Sequence, residues 1–320
     1  MTDGHPQFVA ATADGIELAS AGSQGWVVQK TAPRCALALA AGPQGVFAGT
    51  ESGLLRSSDG GRSWASAGLA GCRVTAVACA PDALYAGTKG PLLFRSDDDG
   101  ASWRELAAFG ARRRWYWWTP VSKPHRQAEA QEIAIAPTQP RVILVGIEAG
   151  ALLRSDDGGD SWSDHRPGAV RDCHNVRFHA RSPSYAYQGG GGGGAFSRDG
   201  GRTWTRPRGL GRVRYGWAAA GDRDNPELRF LSAARSVRSA HGAQQRAQIL
   251  RSQADGPWQP VLEVDAMPYA LLPAAGRLYA GLSNGQVLET IDGGEHWSPL
   301  PFAFSSISRS LIALTPRQTT

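Results

Sequence analysis

Lysine is almost absent from this chain. It occurs only at Lys30, Lys89 and Lys123, so nearly all of the positive charge carried by the 34 Lys and Arg residues is arginine. Cysteine is equally sparse. Cys35, Cys72, Cys79 and Cys173 are scattered and form no Cys-x-x-Cys pair, so they read as reduced thiols and not as a disulfide framework. No run approaches the roughly 18 uninterrupted apolar residues of a membrane span. The opening Met-Thr-Asp-Gly-His-Pro-Gln-Phe has no basic stretch followed by an apolar one, as a secretory leader requires. These absences give the expectation of a cytoplasmic chain that does not enter a membrane. Neither His-x-His nor His-Glu-x-x-His occurs, so no catalytic metal and no cofactor is expected. The net charge of +6 is spread along the chain and not gathered in one tract, which argues against nucleic acid as a partner. The planar fork of arginine suits carboxylate or phosphate, so a small polar or anionic ligand is the expected partner.

What is present is repetition. Ser57-Asp59-Gly61-Ser63-Trp64 recurs as Ser96-Asp98-Gly100-Ser102-Trp103, Ser155-Asp157-Gly159-Ser161-Trp162 and Ser197-Asp199-Gly201-Thr203-Trp204, with a worn copy at Thr290-Asp292-Gly294-His296-Trp297. Aligned with Trp26 and Trp258, the tryptophans are spaced 38, 39, 59, 42, 54 and 39 residues apart. A period near 40 is what a four-stranded propeller blade needs. The sequence therefore predicts an all-β chain, one seven-bladed propeller domain over 1–320, with strands such as Val74–Cys79, Ala83–Gly87, Pro91–Arg95 and Ser102–Leu106 in the clearest unit. The first unit lacks an inner strand and Ser310–Leu314 is a spare one, so the C-terminal segment is expected to close the ring in the first blade, which removes exposed sheet edges.

The motif falls on the hairpin between third and outer strands. There Asp59, Asp98, Asp157, Asp199 and Asp292 are expected to accept turn N–H bonds, glycine to supply backbone freedom and tryptophan to pack. They are scaffold, because one ligand cannot touch five separated hairpins. These residues resemble the Asp-box (BNR) repeat superfamily, which includes sialidases, other glycoside hydrolases, sorting-receptor ectodomains and photosystem II assembly factors. The resemblance spans the chain and is similar to bacterial sialidase-like and assembly-factor-like propellers. It implies either glycan hydrolysis or a non-catalytic protein-interaction scaffold. Sialidases of the superfamily carry six blades and an Arg-Ile-Pro signature; this chain has no Arg-Ile-Pro and counts seven units.

Candidate chemistry gathers where the period breaks. One insertion, Arg112–Gln131, contains Arg114, Trp117, His125 and Arg126; the other, Ser232–Ala247, contains Arg235 and His241. Both fall on the face opposite the motif, where rigid blades hold variable loops. Arg214 and Tyr215 enter the sixth unit, and Asp265 and Tyr269 the seventh. The expected acid/base groups, for hydrolysis or elimination, are Glu148, Asp172 and His174, with the Arg, Tyr, Trp and other residues named here binding the ligand. Strand alternation places His174 and His179 on opposite faces. The run Gly189–Gly194 is expected either to let a ligand reach bare backbone or to form a flexible hairpin.

Overall fold

The computed structural model describes residues 6–112 and 128–314. Its strands form seven antiparallel sheets, one per predicted unit. Blade 3 shows the local logic. Val74–Cys79, Leu84–Thr88, Leu93–Ser96 and Arg104–Glu105 are short β-rich runs cut by turns, and the first three pair antiparallel with one slip of register between Val74 and Ala76. Blades 2, 6 and 7 repeat the four-strand meander. Blades 4 and 5 differ from expectation: each has three strands, and in blade 5 the outer element is reduced to a single bridge, Phe196 to Thr205.

Blade 1 closes the ring. Leu311–Leu314 pairs with Gln7–Thr12, matching Phe8 to Ala313 and Ala10 to Leu311. The core lies between blades, where facing sheets interdigitate. Phe8, Tyr279, Leu300, Phe304 and Leu311 fill the space between blades 7 and 1, and Tyr85, Ile143, Val145 and Trp162 that between blades 3 and 4. The meander places the inner-to-second and third-to-outer hairpins on one face, here the turn face. The second-to-third hairpins and blade-to-blade links occupy the other, the connection face.

Each motif hairpin is closed by its own side chains. Asp157 accepts hydrogen bonds from Ser155 Oγ (2.8 Å), Ser161 N (2.9 Å) and Ser161 Oγ (2.5 Å), while Ser155 Oγ accepts from Gly159 N at 2.8 Å. Asp59, Asp98, Asp199 and Asp292 hold the same set of contacts in their turns. Gly159 has φ +99°, and a β-carbon there would stand 2.5 Å from Leu106 Cδ1, so glycine is required twice over. Burial alone would raise the Asp157 carboxyl, but the bonds from Ser161 and Ser155 together hold it down to about 2. The stability it contributes is present above the ordinary aspartate pKa and is lost as pH falls through about 2. Asp157→Asn is expected to cost about 1–2 kcal/mol near neutrality, measured by urea unfolding, with the deficit shrinking in acid.

Candidate functional site

Six inner strands share a defect at the same level. Their register slips between Ala36 and Ala38, Val74 and Ala76, Ala130 and Glu132, Cys173 and Asn175, Gly216 and Ala219, and Pro268 and Ala270. A bulge opposes extra residue to its partner strand and re-aims that side chain. Leu37, Thr75, Gln131, His174 and Trp217 are the residues so re-aimed, and with Glu132, Arg309 and Ser310 they line a cavity of about 30 Å³ at the connection-face mouth of the central channel. Tyr269 occupies the equivalent position in blade 7.

Around this mouth the fold gathers five of the predicted site residues. His174 is buried and stacks on Trp217, with centroids 4.8 Å apart at 25°. Its Nδ1 lies 2.8 Å from Gly216 O; a carbonyl only accepts, so Nδ1 carries a proton. Its Nε2 faces Asp172 Oδ2 at 3.5 Å, and Asp172 Oδ1 accepts from Ala149 N at 2.9 Å. The insertion in blade 6 is a short helix, Val237–His241, between strands Leu228–Ala234 and Ala247–Gln253, so Ser232 and Ala247 are themselves strand residues. The helix delivers His241 between two phenols: Nε2 is 2.7 Å from Tyr215 Oη and Nδ1 is 2.6 Å from Tyr269 Oη. His241 is open to solvent on its outer side, but the packed side loses hydration. That burial, followed by the charge of His174, pulls its pKa below the ordinary histidine value.

The other predicted residues stand elsewhere or are engaged locally. Glu148 is half-buried in the blade 4 hairpin, its N–H bonded to Glu129 O. Exposed Arg214 donates to the carbonyls of Gly211 and Val213 in its own loop. Arg235 and Asp265 are exposed. Arg114, Trp117, His125 and Arg126 lie outside the described residues.

Two expectations are corrected. His174 and His179 do not point to opposite sides of their strand. His174 Nδ1 meets Gly216 O and His179 Nε2 meets Asp222 O, both in blade 6, because the bulge at His174 breaks the alternation that separated them. They remain at opposite ends of the strand, and the described residues contain no group of His, Cys, Asp and Glu suited to a metal ion. The glycine run has a packing role that the sequence did not suggest. A β-carbon at Gly189 would stand 2.3 Å from Trp217 O, and one at Gly191 2.3 Å from Asp172 Oδ2; the run lets blade 6 backbone and the Asp172 carboxylate press against blade 5.

Below the mouth runs a polar column that the sequence reading passed over. Glu132 Oε2 accepts from Asn175 Nδ2 at 3.2 Å, and Asn175 Oδ1 accepts from Ala219 N at 3.2 Å, tying blades 4, 5 and 6 together. Glu132 touches only the narrow channel. Burial raises its carboxyl to about 7, against the opposing pull of Arg177 and Asn175. Beside it, buried Glu129 is clamped by Arg73 Nε at 3.4 Å and Arg309 Nη1 at 3.5 Å. A signal existed: the residue after each bulge is Ala38, Ala76 and Ala270 in blades 2, 3 and 7, but Glu132 and Asn175 in blades 4 and 5.

No family model and no curated protein matches this chain. Among solved structures, the GH74 xyloglucanase from Xanthomonas campestris is similar, at 18% identity and a TM-score of 0.66 over 90% of this chain and 51% of that one. YCF48 bound to D1 peptide aligns at 16% identity and a TM-score of 0.57, covering 83% of this chain and 82% of that one. YCF48 from Cyanidioschyzon merolae aligns at 15% identity and 0.51, over 81% of each. The chain thus spans about half the length of the xyloglucanase and most of that of the YCF48 structures. At these identities the likeness establishes the propeller fold.

Proposed function

We propose that this propeller is a binding protein whose connection face, over blades 5 to 7, takes an acidic polypeptide segment. One observation carries the reading. The loops 206–214 and 235–246 present Arg206, Arg208, Arg212, Arg214, Arg235, Arg238 and Arg246, all exposed, with no Asp or Glu in either loop. The two loops meet where Arg214 N donates to Ala234 O, so their charge forms one surface. Such a surface steers and holds an oppositely charged partner.

The channel mouth supports binding over catalysis. Both nitrogens of His174 and of His241 face partners. About 30 Å³ is room for roughly one water and excludes a substrate from reaching Glu132 or His174. The neighbour of similar length that carries a bound peptide is consistent with this use of the fold. The described residues include no helix long and apolar enough to cross a membrane.

The test is fluorescence anisotropy with a labelled, Asp/Glu-rich peptide of about twelve residues, against a neutral peptide of equal length. The acidic peptide is expected to bind at least tenfold more tightly than the neutral one, and to weaken steeply with added salt, as exposed charges do. The triple variant R235E/R238E/R246E, all at exposed positions, is expected to fold normally and lose at least tenfold in affinity. Equal binding of both peptides, or an unchanged affinity in the triple variant, overturns the reading.

A further inference from the structure

We propose that the turn-face end of the channel is a separate site for a small organic carboxylate, gripped by Arg177, Arg181 and Arg223. It lies on the opposite face from the polypeptide surface and does not depend on it. The inner-to-second hairpins of blades 5, 6 and 7 enclose a cavity of about 200 Å³ there, walled by these three guanidiniums and by Phe178, Pro273 and Ala274.

Two of the three cations are available. Arg177, on the inner strand of blade 5, donates no hydrogen bond to any described residue, and its Nε is shielded from solvent. Its charge is disfavoured first by burial, with Glu132 as the opposing attraction. A guanidinium with a buried Nε that lacks a partner is costly, and a carboxylate arriving from the cavity would pair with it at two points. Arg223 reaches from blade 6 across to the blade 7 turn, where its Nη1 lies 3.5 Å from the position of a β-carbon on Gly276. Arg181 is paired with Asp224.

The remaining polar groups are neutral or already used. His179 Nδ1 accepts from the N–H groups of Arg181 and Ser182, so its proton sits on Nε2 and goes to Asp222 O. The Tyr187 hydroxyl donates to Pro226 O. Asp222 Oδ1 accepts from Asp224 N and Asn225 N within its turn. The pocket therefore carries an excess of positive charge over an apolar wall. Its volume equals about seven waters, the size of a short mono- or dicarboxylate. Arginine forks match a carboxylate in two-point fashion, and the Phe178, Pro273 and Ala274 surfaces suit a carbon skeleton better than the all-oxygen surface of inorganic phosphate.

Isothermal titration calorimetry with succinate, citrate, acetate and inorganic phosphate tests this. At least one of the carboxylates is expected to bind one-to-one with a dissociation constant of about 1 mM or tighter, and more tightly than phosphate. Arg223→Ala, at a half-exposed position, is expected to retain the wild-type melting profile and weaken that carboxylate at least tenfold. Ala274→Leu, which narrows the cavity from its apolar side, is expected to weaken it as well while leaving binding of the acidic peptide unchanged. The proposal is overturned if no carboxylate binds by about 10 mM, if phosphate binds as tightly as the best carboxylate, or if Arg223→Ala leaves the affinity unaltered.

Discussion

Leu311→Asp is expected to abolish the folded ring at 37 °C. Leu311 is buried among Phe8, Tyr279, Phe304 and Ile307, on the strand that joins the end of the chain to its beginning. An isolated carboxylate placed in that cluster must be desolvated without a partner or else forced to stay protonated, and either costs several kcal/mol. The closure also carries Ala11 N to Ser310 O and Ser308 N to Ala11 O, each 2.9 Å. Opening it exposes the edge of strand Gln7–Thr12 and the Phe8 and Val9 side chains with it. The combined loss approaches the total stability of an ordinary domain, about 5–15 kcal/mol. Leu311→Ala removes apolar carbons without adding a polar group and leaves a cavity, so about 2–4 kcal/mol is expected and the ring survives. Near-ultraviolet circular dichroism and urea unfolding of the two variants check this. A Leu311→Asp protein that melts with the wild type would mean that the closing strand does not hold the ring.

The second large effect is a pH dependence removed by Glu132→Gln. The folded state holds the Glu132 carboxyl at about 7, above its ordinary value of 4.5. The folded chain therefore binds more protons than the unfolded chain between these values. The stability associated with the protonated carboxyl is fully present below pH 4.5 and is lost as pH rises through about 7. The full loss amounts to about 3 kcal/mol. His165 acts in the opposite sense. Burial and then Arg171 push it down to about 4 against the pull of a hydrogen bond with the Ala169 backbone, and Leu152 N donates to its Nδ1, which favours the neutral ring, so ionising it on acidification destabilises the fold between about 6.5 and 4. The two profiles overlap, and the measurement is the difference between wild type and Glu132→Gln in unfolding free energy at pH 5 and pH 8. The variant is expected to gain about 2 kcal/mol relative to wild type on going from the lower to the higher pH. Parallel curves for the two proteins would show that Glu132 keeps an ordinary pKa.

The blades were legible because their determinants are local. The strand Val74–Cys79 and the other inner strands appeared within a few residues of where their apolar runs place them. The repeat predicts outer strands in blades 4 and 5 that are absent from their three-stranded sheets, where Trp162 and Trp204 turn their indoles back on Gly159 O and Gly201 O within their own hairpins. At the candidate site the sequence points to Asp172, His174, Tyr215, His241 and Tyr269, and the fold brings these five together. Their use of one another as hydrogen-bond partners was not legible. Tyr215 and Tyr269 stand 54 positions apart in the chain, and no local pattern shows that one imidazole bridges them.

The sequence alone determined the number of blades, the turn that closes each and the strand that seals the ring. A period of about 40 residues, alternating side chains and Asp–Gly turn chemistry act within a single unit, so they survive in a one-dimensional reading. Tertiary structure alone decided which side chains enter the channel. The six bulges shift register by one residue and turn Gln131, His174 and Trp217 inward, which strict alternation places elsewhere. It also decided the raised pKa of Glu132 and the burial of the Arg177 Nε. Those depend on how much water three neighbouring blades exclude, and that is a property of their packing, not of any one strand.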